Sequence, residues 1–177
     1  MFRKFLPHAL LGVAACLALP RVALASDWLQ TLCPSAAASS DPSDKDTWSL
    51  TLSPFTHHWN YNPNHKTVNL VGLDKLGADE RFCGAALFTN SFGQLSTYVY
   101  AGKEWPRIGG SEHWFVKVSG GLLYGYRGAY QDKIPFNNYG IAPAIIPSLG
   151  YRFNDHDSAQ LILLGDAALM FAYGHSF

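Results

Sequence analysis

The chain has 177 residues, with 13 Lys and Arg against 13 Asp and Glu and a formal net charge of zero, so it lacks the basic footprint of a nucleic-acid partner. Only 15% of its residues are charged while 14% are aromatic, with 11 Phe, 9 Tyr, 5 Trp and 16 Gly, a mixture suited to lipid-facing walls and aromatic girdles. Beyond the N-terminal apolar run no stretch of about 18 apolar residues occurs, so a membrane-crossing structure would have to be built from strands.

Arg3 and Lys4 precede an apolar run from Phe5 to Leu19, and Ala23-Leu24-Ala25 forms a small-residue cleavage site before Ser26. This predicts a secretory signal peptide over 1–25. The alternative, a lipoprotein-type cut before Cys16, would leave an apolar stub. Ser26 to Cys33 then places Trp28, Leu29 and Leu32 on one side of a short amphipathic helix opened by a Ser or Asp cap. A polar Ala/Ser/Asp linker follows to Asp46, so 26–46 is read as helix and linker and 47–177 as a single barrel domain.

From Thr47 the period becomes two. Trp48, Leu50 and Leu52 alternate with Thr47, Ser49, Thr51 and Ser53 until Pro54 interrupts the ladder. Similar alternation predicts strands over Thr67–Leu73, Phe82–Phe92, Gln94–Trp105, His113–Arg127, Gly140–Phe153, Ala159–Leu164 and Ala167–Phe177, divided by segments rich in Gly, Asn, Asp and Lys. In the last of these, Leu169, Phe171, Tyr173, His175 and Phe177 form a bulky row for lipid, while Ala168, Met170, Ala172, Gly174 and Ser176 suit a narrow lumen. The predicted fold is therefore all-β: a monomeric, eight-stranded antiparallel transmembrane β-barrel of the bacterial outer membrane. A barrel of that size is filled by side chains or holds one small ligand.

Pro135, Pro143 and Pro147 interrupt an apolar strand region. Proline cannot donate to a ladder, so these residues either sit in turns or open a weakened seam through which a lipid chain can pass sideways. Of the three cysteines, Cys16 leaves with the signal; Cys33 and Cys83 remain in an oxidising compartment, and the sequence leaves their pairing open. With no Cys-x-x-Cys and no His pair at ligand spacing, neither a metal nor a cofactor is expected.

Chemistry-bearing residues are few. His57 and His58 end the first strand on opposite faces, so one of them faces the lumen or rim. Thr89-Asn90-Ser91 is a polar break at the far end of an apolar strand, and a serine near a base can be acylated or can orient a substrate. Arg127 is a single cation at a strand end, suited to a phosphate or, more plainly, to lipid headgroups.

The order of these parts resembles the outer-membrane lipid A palmitoyltransferase family, PagP. Thr56-His57-His58 resembles its Thr-x-His, Phe88-Thr89-Asn90-Ser91 its Phe-x-Asp-Ser, and Arg127 ahead of Ile134-Pro135 its arginine before an Ile-Pro step. Pro143-Ala144-Ile145-Ile146-Pro147-Ser148-Leu149-Gly150-Tyr151 is similar to its proline-rich run into Ser-Val-Gly-Tyr. The resemblance implies an enzyme that moves a fatty acyl chain from a phospholipid donor to lipid A or a related glycolipid acceptor. His58 would be the general base or acid, Ser91 and Asn90 its companions, and Arg127 a phosphate contact. Gly102, Gly120 and Gly121 would lie at the floor of an acyl-binding lumen, and Pro143 and Pro147 would lie beside it. Asn90 stands where the family has aspartate, and an amide carries no charge to stabilise an imidazolium. That departure motivates a second reading, a non-catalytic barrel that binds or transports a lipid or a small phosphorylated solute. A deacylase barrel ranks last, because His175-Ser176 lacks the His-x-Ser spacing.

Overall fold

The computed structural model describes Cys33 and Asp46–Phe177. The predicted signal peptide, and all of the predicted helix and linker except Cys33 and Asp46, lie outside the described residues. Eight strands, β1 (Thr47–His58), β2 (Leu70–Leu76), β3 (Arg81–Thr89), β4 (Leu95–Pro106), β5 (Trp114–Tyr124), β6 (Ile141–Arg152), β7 (Asp157–Leu164) and β8 (Ala168–Ser176), close into one barrel in sequence order. Every neighbouring pair is antiparallel, including β1 with β8. Among the described residues no helix is long and apolar enough to cross a membrane, which says nothing of strands.

Alternation fixes which side chains point in. Val71, Leu87, Val99, Leu122 and Ile145 stand on the outside, Ile145 at 76% exposure. Trp48, Trp105, Trp114 and Tyr173 also face outward, toward the end that carries both strand termini. Such an apolar exterior with an aromatic rim is costly in water and suited to lipid. On β8 the bulky row faces out and Ala168, Met170, Ala172 and Gly174 face in, as the period predicts.

The interior is divided into two halves. Toward the terminal end, Asp74, Glu104 and Lys117 are buried. The Lys117 ammonium lies 3.4 Å from the Asp74 carboxylate and 3.7 Å from that of Glu104. Arg152 pairs with Glu104, and the Tyr100 hydroxyl donates to Asp74. Two anions thus face two cations, and the rings of Phe82 and Phe115 lie 4.9 Å from Lys117 and 4.3 Å from Arg152. Desolvated charges survive only in such matched sets. The remaining space in this half is about 30 Å³, roughly the share of one water, so this end is plugged.

Two stretches of wall lack their ladder. β6 pairs with β5 along its length, from Tyr124↔Ile141 to Trp114↔Tyr151, but with β7 only from Ser148↔Ile162 to Arg152↔Ser158. The pairing stops at Pro147, which has no N–H to give, and Pro143 repeats the defect two pleat repeats further on. β1 pairs with β2 only from Thr47 to Ser53, again stopping at a proline, Pro54.

Several boundaries differ from the predicted ones: β2 runs on to Leu76 rather than ending at Leu73, β3 ends at Thr89 rather than Phe92, and β5 ends at Tyr124 rather than Arg127. β1 continues past Pro54 to His58, because a register shift between Leu52 and Phe55 absorbs the proline against β8. β2 begins three residues late because the preceding segment bonds elsewhere: the Lys66 N–H donates to the Ser91 carbonyl at 2.8 Å, and the Asn69 carbonyl accepts from Thr89 at 3.1 Å. Cys33 and Cys83 form a disulfide, with Cα atoms 5.0 Å apart. Cys83 lies in the outward-facing row of β3, one residue after buried Phe82, so the bond ties the chain ahead of β1 to the outer wall.

Candidate functional site

The bulge at Pro54 decides which histidine enters the barrel. Ser49, Thr51 and Ser53 are buried, whereas Phe55 and His57 are exposed. The extra residue therefore reverses the alternation, and Thr56 and His58 take the inward row. Without it His57 would point inward.

At the mouth, His58 Nε2 lies 2.7 Å from Ser91 Oγ. In the tautomer protonated at Nδ1, the imidazole accepts the hydroxyl proton. The His65 ring packs 4.3 Å from the His58 ring, and Phe92 meets His65 edge-on at 5.6 Å.

Asn90 builds the turn that presents Ser91. It is fully buried; its Oδ1 accepts from the Phe92 and Gln94 N–H groups, each at 3.0 Å. Its Nδ2 donates to Ser96 Oγ at 3.2 Å and to Gln94 Oε1 at 3.4 Å. An amide fits this place because it supplies both acceptor and donor; a carboxylate would lack the second function. The side chain is committed to the turn rather than directed at His58.

Ser91 and His58 roof a cavity of about 380 Å³, within the range of small-molecule sites. Its walls are apolar, with Ala86, Phe88, Leu123, Ile146, Ile162 and Met170, and its floor is Phe82 with the Asp74–Tyr100–Lys117 cluster. Pro143 and Ile145 belong to the outward row of β6 yet border the cavity, so it opens sideways through the unpaired β6–β7 wall. Pro147 marks the end of that opening.

The other predicted residues are placed differently. Gly102 lies beneath the floor: a Cβ there would meet the Val118 carbonyl and sit 2.7 Å from the Phe82 ring, so glycine makes room for the floor rather than for a ligand. Gly121 is likewise wedged against the backbone of Tyr100, its Cβ 2.8 Å from that Cα. Gly120 is a correction, because it faces outward, where a Cβ would meet nothing within 4 Å. Arg127 is exposed at the outer rim; its Nη1 donates to the Tyr124 hydroxyl at 3.1 Å and the guanidinium lies 5.4 Å from that ring. It does not join His58 and Ser91.

Sequence reasoning missed Tyr126 and His65. Tyr126 lines the cavity beside Ser91, and burial pushes its pKa up, only partly offset by the nearby Ser91 hydroxyl. His65 has a buried Nδ1 without a partner. Both lie outside the strands, where period-2 alternation carries no information.

No family model and no curated protein matches this chain. Among solved structures it is similar to the backbone structure of the Yersinia pestis outer membrane protein Ail in a phospholipid bilayer nanodisc, at 14% identity and a TM-score of 0.40, over 75% of this chain and 100% of that one. At that level the likeness carries no argument about site or activity.

Proposed function

We propose that this chain is an outer-membrane acyltransferase, acting as a monomer, that takes a fatty acyl chain from a phospholipid and passes it to lipid A or a related glycolipid. The observation that carries the reading is the 2.7 Å His58–Ser91 pair set at the mouth of an apolar cavity that opens through the barrel wall. A donor tail enters sideways from the membrane plane and lies in the cavity, which brings its ester to the mouth. His58 acts as general base on the acceptor hydroxyl and then as acid toward the leaving glycerol oxygen, while Ser91 holds or stabilises the reacting group. Arg127, on the outer rim beside Tyr124, is placed to meet anionic headgroups. The two longest loops, over 59–69 and 125–140, lie at this mouth, while those at the terminal end, over 77–80, 107–113 and 153–156, are shorter than either, an arrangement that favours an outward-facing mouth.

The test is transfer of labelled acyl chains from phospholipid to lipid A by the purified, refolded barrel, compared with His58→Ala. Added acyl mass on lipid A that disappears with the substitution supports the reading. No transfer, or transfer undiminished by the substitution, overturns it. Lipid bound in the cavity without transfer would favour the non-catalytic barrel, the reading that Asn90 motivates.

A further inference from the structure

We propose that Ser91 is a nucleophile that carries the acyl chain as a covalent ester between donor and acceptor, with His58 as its base and the Tyr126 hydroxyl as its second hydrogen-bonding partner. The proposal rests on the acyl-transfer reading above and goes beyond it by changing the role of Ser91 from positioning to bond making.

Three observations lead there. First, the 2.7 Å contact between His58 Nε2 and Ser91 Oγ is the nucleophile–base geometry of serine acyl transfer. Among the described residues no carboxylate is bonded to the base; the His65 ring at 4.3 Å, itself met edge-on by Phe92, packs against the imidazole. Second, Ser91 is held firmly. Asn90 fixes the turn on one side, and the Lys66 N–H donates to the Ser91 carbonyl at 2.8 Å on the other. The hydroxyl borders the cavity in which the acyl chain lies.

Third, the proposed partner of that hydroxyl is built at a cost. Tyr126 sits at φ 53, a left-handed conformation that costs a bulky residue of order 1–3 kcal/mol and tends to persist at functional sites. It is held there by Asn137 Nδ2, which donates to the Tyr126 carbonyl at 2.9 Å, and by its edge contact with Phe92 at 6.1 Å. The preceding Gly125, at φ 150, packs so closely on Ser96 that a Cβ would lie 2.7 Å from the Ser96 Cβ. The result is a phenol that lines the same cavity as Ser91, within reach of alkoxide charge developing on Oγ.

The chemistry balances without a further reagent. The Ser91 Oγ proton passes to His58 Nε2 as Oγ bonds the ester carbonyl carbon. The carbon–oxygen bond to glycerol then breaks, and that oxygen takes the proton from Nε2 and leaves as lysophospholipid. The acceptor hydroxyl next gives its proton to Nε2 as its oxygen bonds the same carbon. The Oγ–carbon bond breaks, and Oγ recovers the proton.

The test treats the refolded full barrel in detergent with a fluorophosphonate, which phosphonylates a base-activated serine with loss of fluoride, and maps the adduct by peptide mass spectrometry. The expected result is an adduct on Ser91, formed about 100-fold more slowly in His58→Asn and about 10-fold more slowly in Tyr126→Phe. Each variant is checked for the heat-modifiable gel shift of a folded barrel. Phospholipid supplied without acceptor should likewise leave acyl mass on the Ser91 peptide. Wild-type mapping reads the site directly, so the test survives a Ser91→Ala variant that fails to fold. A folded barrel that transfers acyl chains with Ser91 unlabelled, or labelled at an unchanged rate in His58→Asn, overturns the proposal and leaves acyl transfer standing. Labelled Ser91 in a barrel that moves no acyl chain to lipid A leaves the nucleophile standing and overturns the transferase.

Discussion

Replacing Val99 by lysine tests the physical basis of the whole arrangement, that the outward row of this barrel meets hydrocarbon. Val99 is 58% exposed and pairs with Ala85 on β3 and Leu122 on β5, both from outward rows. On β4 that row runs between Leu95 at the mouth and Trp105 at the aromatic rim. With a rise of about 3.3 Å per residue and a tilt of about 40°, the row spans about 25 Å along the barrel axis, the height of an apolar band, and Val99 falls within about 3 Å of its middle. A lysine at a bilayer midplane costs about 2–4 kcal/mol; at a water-exposed site the same exchange changes stability by less than about 0.5 kcal/mol. The assay is urea unfolding of barrels refolded into phospholipid vesicles, followed by tryptophan fluorescence. Tyr139→Lys, at a loop residue 93% exposed, serves as the control. A Val99→Lys loss as small as that of the control, or a wild-type barrel that folds and stays soluble in buffer alone, would refute the reasoning.

Three further outcomes are expected. Asn90→Ala should cost about 2 kcal/mol in the same unfolding assay and slow transfer, because the Phe92 and Gln94 N–H groups lose their acceptor; Asn90→Asp, which keeps that acceptor, should cost less. Asp74→Leu alone should cost about 3 kcal/mol by leaving Lys117 short of charge, and the double exchange with Lys117→Met should recover much of that loss. Pro147→Val should add a ladder hydrogen bond worth about 1 kcal/mol of stability, while lipid entry through the narrowed β6–β7 opening, read from the rate of donor consumption, should slow.

The existence of eight strands was legible because alternation of bulky and small residues has one cause, a wall with lipid-suited and lumen-suited faces, and it repeats in every strand. Parity was legible for the same reason: Ala168, Met170 and Ala172 lie inside as their size implies. Local events that reset the count were not. One extra residue at Pro54 exchanged the faces of His57 and His58, and nothing in the composition of Ser53-Pro54-Phe55 says where a bulge will close. The late start of β2 followed from bonds made by Lys66 and Asn69 to a turn distant in sequence. Tyr126 escaped notice because its position depends on a left-handed backbone held by Asn137, and no periodicity describes that. The outward face of Gly120 could have been found by counting from Lys117, whose burial places Ser119 and Gly121 inward.

The ion-paired plug gives the barrel a direction of traffic. A vessel corked at its base and slit along its side has no lengthwise conduit, so water-soluble cargo gains nothing by entering its mouth. On the proposed function, molecules already dissolved in the surrounding leaflet reach the interior by a short step through the slit. Selection among them then falls to tail shape and to the distance at which the charged cork stops a hydrocarbon end.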